Sequence, residues 1–216
     1  MFGLAAKPQA QAPKTVEYAG SEICAGCHED IAKAFRRSPH QRVEARGAWQ
    51  GKACESCHGP GAKHAESGSA GDILNPGKAV AATSEKTCLA CHGAQPALRW
   101  RARDAHSRNQ VSCVACHKVH GPAQELGLKA APVVNRQCSS CHAAEWAEFQ
   151  RPHTHRLREG AMSCADCHDP HGSTRPGSMQ TVSANEAGCL RCHGDKRGPF
   201  PFEHPPVRLE GCQACH

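Results

Sequence analysis

Two stretches, Cys113-Val114-Ala115-Cys116-His117-Lys118-Val119-His120-Gly121 and Cys164-Ala165-Asp166-Cys167-His168-Asp169-Pro170-His171-Gly172, follow one grammar: Cys-x-x-Cys-His, two residues, then His-Gly. The five-residue head recurs outward in both directions. It stands at Cys24/Cys27/His28, Cys54/Cys57/His58 and Cys88/Cys91/His92, and again at Cys138/Cys141/His142, Cys189/Cys192/His193 and Cys212/Cys215/His216. The eight copies consume all sixteen cysteines. A disulfide framework would scatter its cysteines, and zinc sites would combine them with histidines at variable spacing. Two cysteines three apart reach the two vinyl groups of one haem as thioethers, and the adjacent histidine falls under the iron. A zinc site or redox dithiol could explain one copy, but not eight that leave no cysteine over. The motifs therefore predict eight covalently bound haem c groups, with the sixteen cysteines as attachment points and His28, His58, His92, His117, His142, His168, His193 and His216 as proximal ligands.

The rest of the composition needs such groups. Leu, Ile, Val and Phe total 27 of 216 residues, and Tyr18 is the one tyrosine. A chain this poor in large apolar side chains cannot offset its conformational entropy by burying them. Large flat porphyrins, crosslinked to the chain, can supply the missing core, with folding coupled to their binding. The expected fold class is mostly irregular with small α-helices and almost no β-sheet, an elongated multihaem c wire.

Eight histidines lie outside the motifs: His40, His64, His106, His120, His153, His155, His171 and His204. They equal the motifs in number, and they recur at similar places between them. Each is expected to be a distal ligand, giving bis-His iron throughout. Of the three methionines, Met1, Met162 and Met179, the first is at a terminus. His153 and His155 are close enough to share one role. A six-coordinate bis-imidazole iron has no open position for substrate, so the chain reads as an electron carrier rather than an enzyme.

Repetition sets the organisation. His28 and His142 each precede a helical stretch that reaches Phe35 or Phe149 seven residues later and stops at Pro39-His40 or Pro152-His153. A third copy, from His193 to His204, is weakened as a helix by Gly194, Gly198 and Pro199. The motifs thus fall into four haem-pair units, about 21–65, 84–121, 135–172 and 186–216, in one domain after a poorly ordered segment 1–20. The His-x-x-His-Gly turn is too tight to give both histidines to one iron, so His120 and His171 should each reach a neighbouring haem. The Gly/Ala/Ser-rich stretch between the second and third motifs reads as a surface loop over 66–83, a plain spacer.

The formal charge of +6 changes once cofactors are counted. Eight haems add about sixteen propionate charges and, when ferric, about eight positive ones, leaving about −2 oxidised and about −10 reduced. Arg and Lys are then partners for propionates, including the Arg99-Trp100-Arg101-Ala102-Arg103 patch, and no nucleic-acid binding is implied. Thioether attachment occurs outside the bacterial inner membrane, so the protein is exported. Met1–Ala6 is too short an apolar run for a signal peptide, which is expected to be removed or to lie outside this numbering. No segment has the apolar length of a membrane span.

Several segments resemble a family in more than their ligands: Gly20-Ser21-Glu22-Ile23 before the first motif, Ser38-Pro39-His40, Cys54–Gly61, Glu159–Gly172 and Lys196–His204. From residue 18 onward the chain is similar to the periplasmic multihaem cytochromes of porin–cytochrome conduits, the MtrA/DmsE-type decahaem proteins and their octahaem counterparts. The resemblance implies a haem wire inside an outer-membrane β-barrel porin. It would relay electrons between periplasmic or inner-membrane cytochrome donors and a cell-surface multihaem cytochrome. Seven steps of about 10 Å exceed the ~40–45 Å of a bilayer with its headgroups. Decahaem members continue past an eighth motif, so the chain is expected to be either an octahaem relative or a truncated decahaem one; the balance of eight motifs with eight spare histidines favours the octahaem reading. The alternatives are a soluble periplasmic shuttle to a reductase, an extracellular cytochrome filament, and an octahaem nitrite or hydroxylamine enzyme. The last needs an open iron, which eight histidine-ended motifs argue against.

Overall fold

The computed structural model describes residues 17–121, 128–174, 181–183, 186–196 and 198–202. Every helix in it is short, because few stretches escape a glycine, a proline or a motif turn for long. In chain order they are α1 (Ser21–Cys27), α2 (Glu29–Phe35), α3 (Glu55–His58), α4 (Ala62–Ser67), α5 (Ala81–His92), α6 (Ala105–Arg108), α7 (Cys113–Cys116), α8 (Ala131–Ser139) and α9 (Ala143–Glu148). Single 3-10 turns fill many of the connections. One antiparallel pair, β1 (Thr181–Ser183) with β2 (Glu186–Ala187), is the sheet among the described residues. The expected fold class, small helices and almost no sheet, is what is found.

The apolar core is correspondingly thin. Ala34, Ala53, Val134 and Leu157 are the buried hydrophobic residues among those described. So few buried apolar side chains cannot by themselves offset the entropy of ordering the described residues, which need a further apolar body to pack on.

Polar latches hold the described segments to one another, and three of them start three residues before a motif's first cysteine. Ser21 donates from its hydroxyl to Glu44 (2.8 Å), and Glu44 also accepts the Ala53 N–H (3.1 Å), which fixes the approach to the second motif. Glu85 accepts from the buried Arg101, which also donates to Asp104 Oδ2 (3.1 Å) and to the Val111 carbonyl before the fourth motif. Asn135 donates to the carbonyls of Leu157 and Met162, both at 2.8 Å, and accepts the Cys164 N–H at 2.9 Å, before and at the sixth motif. Each latch ties the first motif of a pair to its second. Glu55, 1% exposed, adds a fourth tie by accepting the N–H groups of Ala19 (2.8 Å), Gly20 (2.9 Å) and Gly61 (2.7 Å).

Three expectations change here. Tyr18, Ala19 and Gly20 were assigned to a poorly ordered segment, yet Tyr18 meets Trp49 edge-on at 6.0 Å and its two neighbours are bound by Glu55. The 66–83 stretch is not a plain spacer, since it contains the end of α4, a 3-10 turn at Ala70–Asp72 and hydrogen bonds to two histidine rings. Arg101 does not offer itself to a propionate, because Glu85, Asp104 and Val111 use its guanidinium, while Arg99 and Arg103 lie over the Trp100 ring at 5.3 and 5.9 Å.

Candidate metal centres: paired imidazoles between the motifs

Each described motif is one helical turn. The histidine N–H donates to the carbonyl of the first cysteine at 2.8–3.0 Å in the motifs of His28, His58, His117, His142, His168 and His193, and the third motif ends α5. Positions i, i+3 and i+4 share a helix face, so both thiols and the imidazole of a motif point the same way. That is the presentation a doubly tethered, axially ligated macrocycle needs.

The imidazoles then meet in pairs. His28 faces His64, His40 faces His92, His58 faces His120, His106 faces His142, His117 faces His171 and His155 faces His193, with ring centroids 5.9–6.2 Å apart. Every pair joins one motif histidine to one spare histidine. A metal–imidazole bond is about 2 Å and the ring nitrogen sits about 1 Å from the ring centre, so imidazoles on opposite sides of one metal have centres about 6 Å apart. The donor set and spacing fit a bis-imidazole metal. The pairs differ in twist: three are near parallel at 15°, 21° and 11° (His28/His64, His58/His120, His117/His171) and two near perpendicular at 74° and 78° (His40/His92, His106/His142), with His155/His193 at 59°.

Partners lie far apart in sequence, and the pairing is interleaved. His40 and His58 of the first unit face His92 and His120 of the second; His106 and His117 of the second face His142 and His171 of the third. Neither His-x-x-His-Gly turn presents its two rings to each other. His153, exposed and at a left-handed φ of 65°, has no ring facing it among the described residues, whereas His155 has His193. His168 does have an interaction partner. His204, Cys212, Cys215 and His216 lie outside the described residues.

Burial first, and then the facing imidazole, holds His40, His117 and His120 below the ordinary imidazole value. A neutral ring is the form that binds metal. Backbone carbonyls fix ring orientation elsewhere: His58 Nδ1–H donates to Leu74 O and His64 Nδ1–H to Ser69 O, both at 2.8 Å. Gln95 is 2.8 Å from His92 Nδ1. Residue spacing gives no sign of these second partners, although the polar residue three before a motif, seen in Ser21, Glu85 and Asn135, does mark the latches.

The thiols of successive motifs also lie within electrostatic reach of one another. Cys24 feels the charge of Cys54, Cys57 that of Cys91, Cys88 that of Cys113, Cys116 that of Cys141, Cys138 that of Cys164, and Cys167 that of Cys189 and Cys192. Burial, then Cys54 and Glu55, pushes the Cys24 thiol up to about 11. Following these neighbours leads from the first motif to the seventh without omission.

Comparison with known proteins agrees with the reading of the Cys-x-x-Cys-His motifs. The model of a cytochrome c-type protein, NrfB-like, matches residues 54–130, and a doubled Cys-x-x-Cys-His model matches 155–198. The chain is 32% identical over 199 residues to the multiheme cytochrome MtrA of Shewanella baltica, covering 87% of this chain and 57% of that protein. It is 25% identical over 228 residues to a high-molecular-weight cytochrome c of Nitratidesulfovibrio vulgaris, covering 89% and 38%. The chain thus spans about half or less of each relative's length. Paired motif turns, facing imidazoles and these matches place the chain among the multihaem c-type cytochromes, proteins that bind haem covalently.

Proposed function

We propose that this chain carries eight haem c groups, each with two axial histidines, and relays electrons along them inside an outer-membrane β-barrel sheath. The observation that carries the reading is the set of six imidazole pairs at 5.9–6.2 Å, each with one motif and one spare histidine. Bound there, haem iron supplies reversible one-electron redox chemistry. The facing histidines would hold each iron from two sides, and the chain orients their rings and sets neighbouring motifs against one another. Ligation that does not change on electron gain or loss keeps reorganisation small, and close spacing favours tunnelling. With both axial positions filled, the reading is of a carrier and not an enzyme.

The sheath draws its support from similarity to MtrA over 87% of the chain and from the motif resemblance to porin–cytochrome conduits. Among the described residues no helix is long and apolar enough to cross a membrane. Periplasmic or inner-membrane donors and a cell-surface multihaem acceptor follow from the same resemblance. The test is affinity purification of the tagged holoprotein from detergent-solubilised outer membranes, with intact-mass measurement of the product. Eight haem masses and a co-purifying large β-barrel are expected. A freely soluble monomer would overturn the sheath, and fewer than eight haems would overturn the count.

A further inference from the structure

The stretch between the second and third motifs holds two rings by their outer nitrogens. A carbonyl only accepts, so the bonds from His58 to Leu74 O and from His64 to Ser69 O fix both imidazoles with the proton on Nδ1 and the Nε2 lone pair free. These rings face His120 and His28 respectively. We propose that residues 59–75 are a ligand clamp for the first two irons and that Asp72 is its positioning residue. The proposal rests on reading His28/His64 and His58/His120 as axial pairs.

The need for a clamp follows from α4. This helix has six residues, too few to hold His64 by its own hydrogen bonding. It ends at Gly68, in the left-handed conformation at φ 66°, and the chain turns back over it. Asp72 closes the turn by accepting from Lys63 Nζ and, at 2.7 Å, from Ser67 Oγ. Its backbone N–H donates to Ser69 O at 3.1 Å, the carbonyl that also receives His64 Nδ1–H. Two residues on, Leu74 exchanges two bonds with His58: Leu74 N–H to His58 O at 3.1 Å, and His58 Nδ1–H to Leu74 O at 2.8 Å. Asp72 thus closes the turn with its carboxylate and holds the carbonyl that aims His64 with its backbone N–H, two residues before the Leu74 carbonyl that aims His58. Without that carboxylate the two irons would keep their ligands but lose the constraint on the rings.

Carbon monoxide uptake by the reduced, exported holoprotein reads this directly, because the gas binds only where an axial histidine leaves. His64→Ala should take up one equivalent per chain. Asp72→Ala should take it up about tenfold faster than the parent, in keeping with the loss of an outer-shell partner. Asp72→Asn, which keeps an acceptor for Ser67, should fall between, and Glu29→Ala, which breaks the exposed Glu29–Lys33 pair, should match the parent. If Asp72→Ala does not accumulate, Ser67→Ala is read in the same way. Rates equal to the parent's in the Asp72 or Ser67 variant, alongside an open His64→Ala, would overturn the clamp. Rapid uptake by the parent itself would instead overturn the axial pairs.

Discussion

Asn135 Oδ1 accepts the backbone N–H of Cys164 at 2.9 Å across 29 residues of chain, while its amide nitrogen donates to Leu157 O and Met162 O at 2.8 Å. One buried amide thereby sets the fifth motif against the sixth. The Cys164 thiol also points at Oδ1, at 3.4 Å, but that proton disappears once a thioether forms, so the backbone bonds are the lasting ones.

Asn135→Ala should destabilise the holoprotein by about 2–4 kcal/mol, since buried donors and acceptors are left unpaired at about 1–3 kcal/mol each. Denaturant unfolding followed by circular dichroism checks this. A loss below about 0.5 kcal/mol would show that the amide is not a latch.

Arg101 is the corresponding device in the second unit, with a side chain 9% exposed between Asp104 at 2% and Glu85 at 18%. Arg101→Met strands two carboxylates, and breaking a buried pair from one side costs about 3–5 kcal/mol. The expected result is a loss of about 3 kcal/mol in the same unfolding measurement. Because the guanidinium is committed to the protein, the midpoints of a spectroelectrochemical titration should move little in any fraction that stays folded. A large shift would restore the propionate role expected from the basic patch.

Gly172 marks where the second and third units touch. Its φ is 94°, and an added Cβ would lie 2.8 Å from Asp104 Cβ and 3.0 Å from Trp100 O. Both the backbone strain and the clash oppose Gly172→Ala, and a loss of at least about 1–3 kcal/mol is expected. Gly26, with open space around it in α1, is the matching control. Gly26→Ala should leave stability unchanged or raise it by up to about 1 kcal/mol.

What the sequence revealed tracks how local each feature is. The attachment turns are written within five residues, and the helices after His28 and His142 within ten, so both could be read directly. That His120 would serve a neighbour followed from the tightness of its turn. Which neighbour did not follow, since His58 stands 62 residues upstream and only the folded chain brings the rings to 6.2 Å. Arg101 was misjudged for a related reason: Glu85, which captures it, is 16 residues away. The composition of 66–83 likewise says loop, while its work depends on carbonyls, which have no signature in residue type.

The two adjacent spare histidines, His153 and His155, give the sharpest contrast. His155 faces His193 at 6.0 Å, whereas His153 is exposed with no ring opposite among the described residues. If facing imidazoles are axial ligands, His155→Ala opens one iron and His153→Ala opens none. Electron paramagnetic resonance of the ferric protein distinguishes them: a high-spin signal of about one iron per chain is expected for His155→Ala, as a histidine ligand is lost, and none beyond the parent's for His153→Ala. His120→Ala should behave as His155→Ala does, because its partner His58 stays fixed by Leu74. A high-spin signal from His153→Ala, with none from His155→Ala, would reverse the assignment at the seventh motif, and with it the use of ring separation to identify ligands.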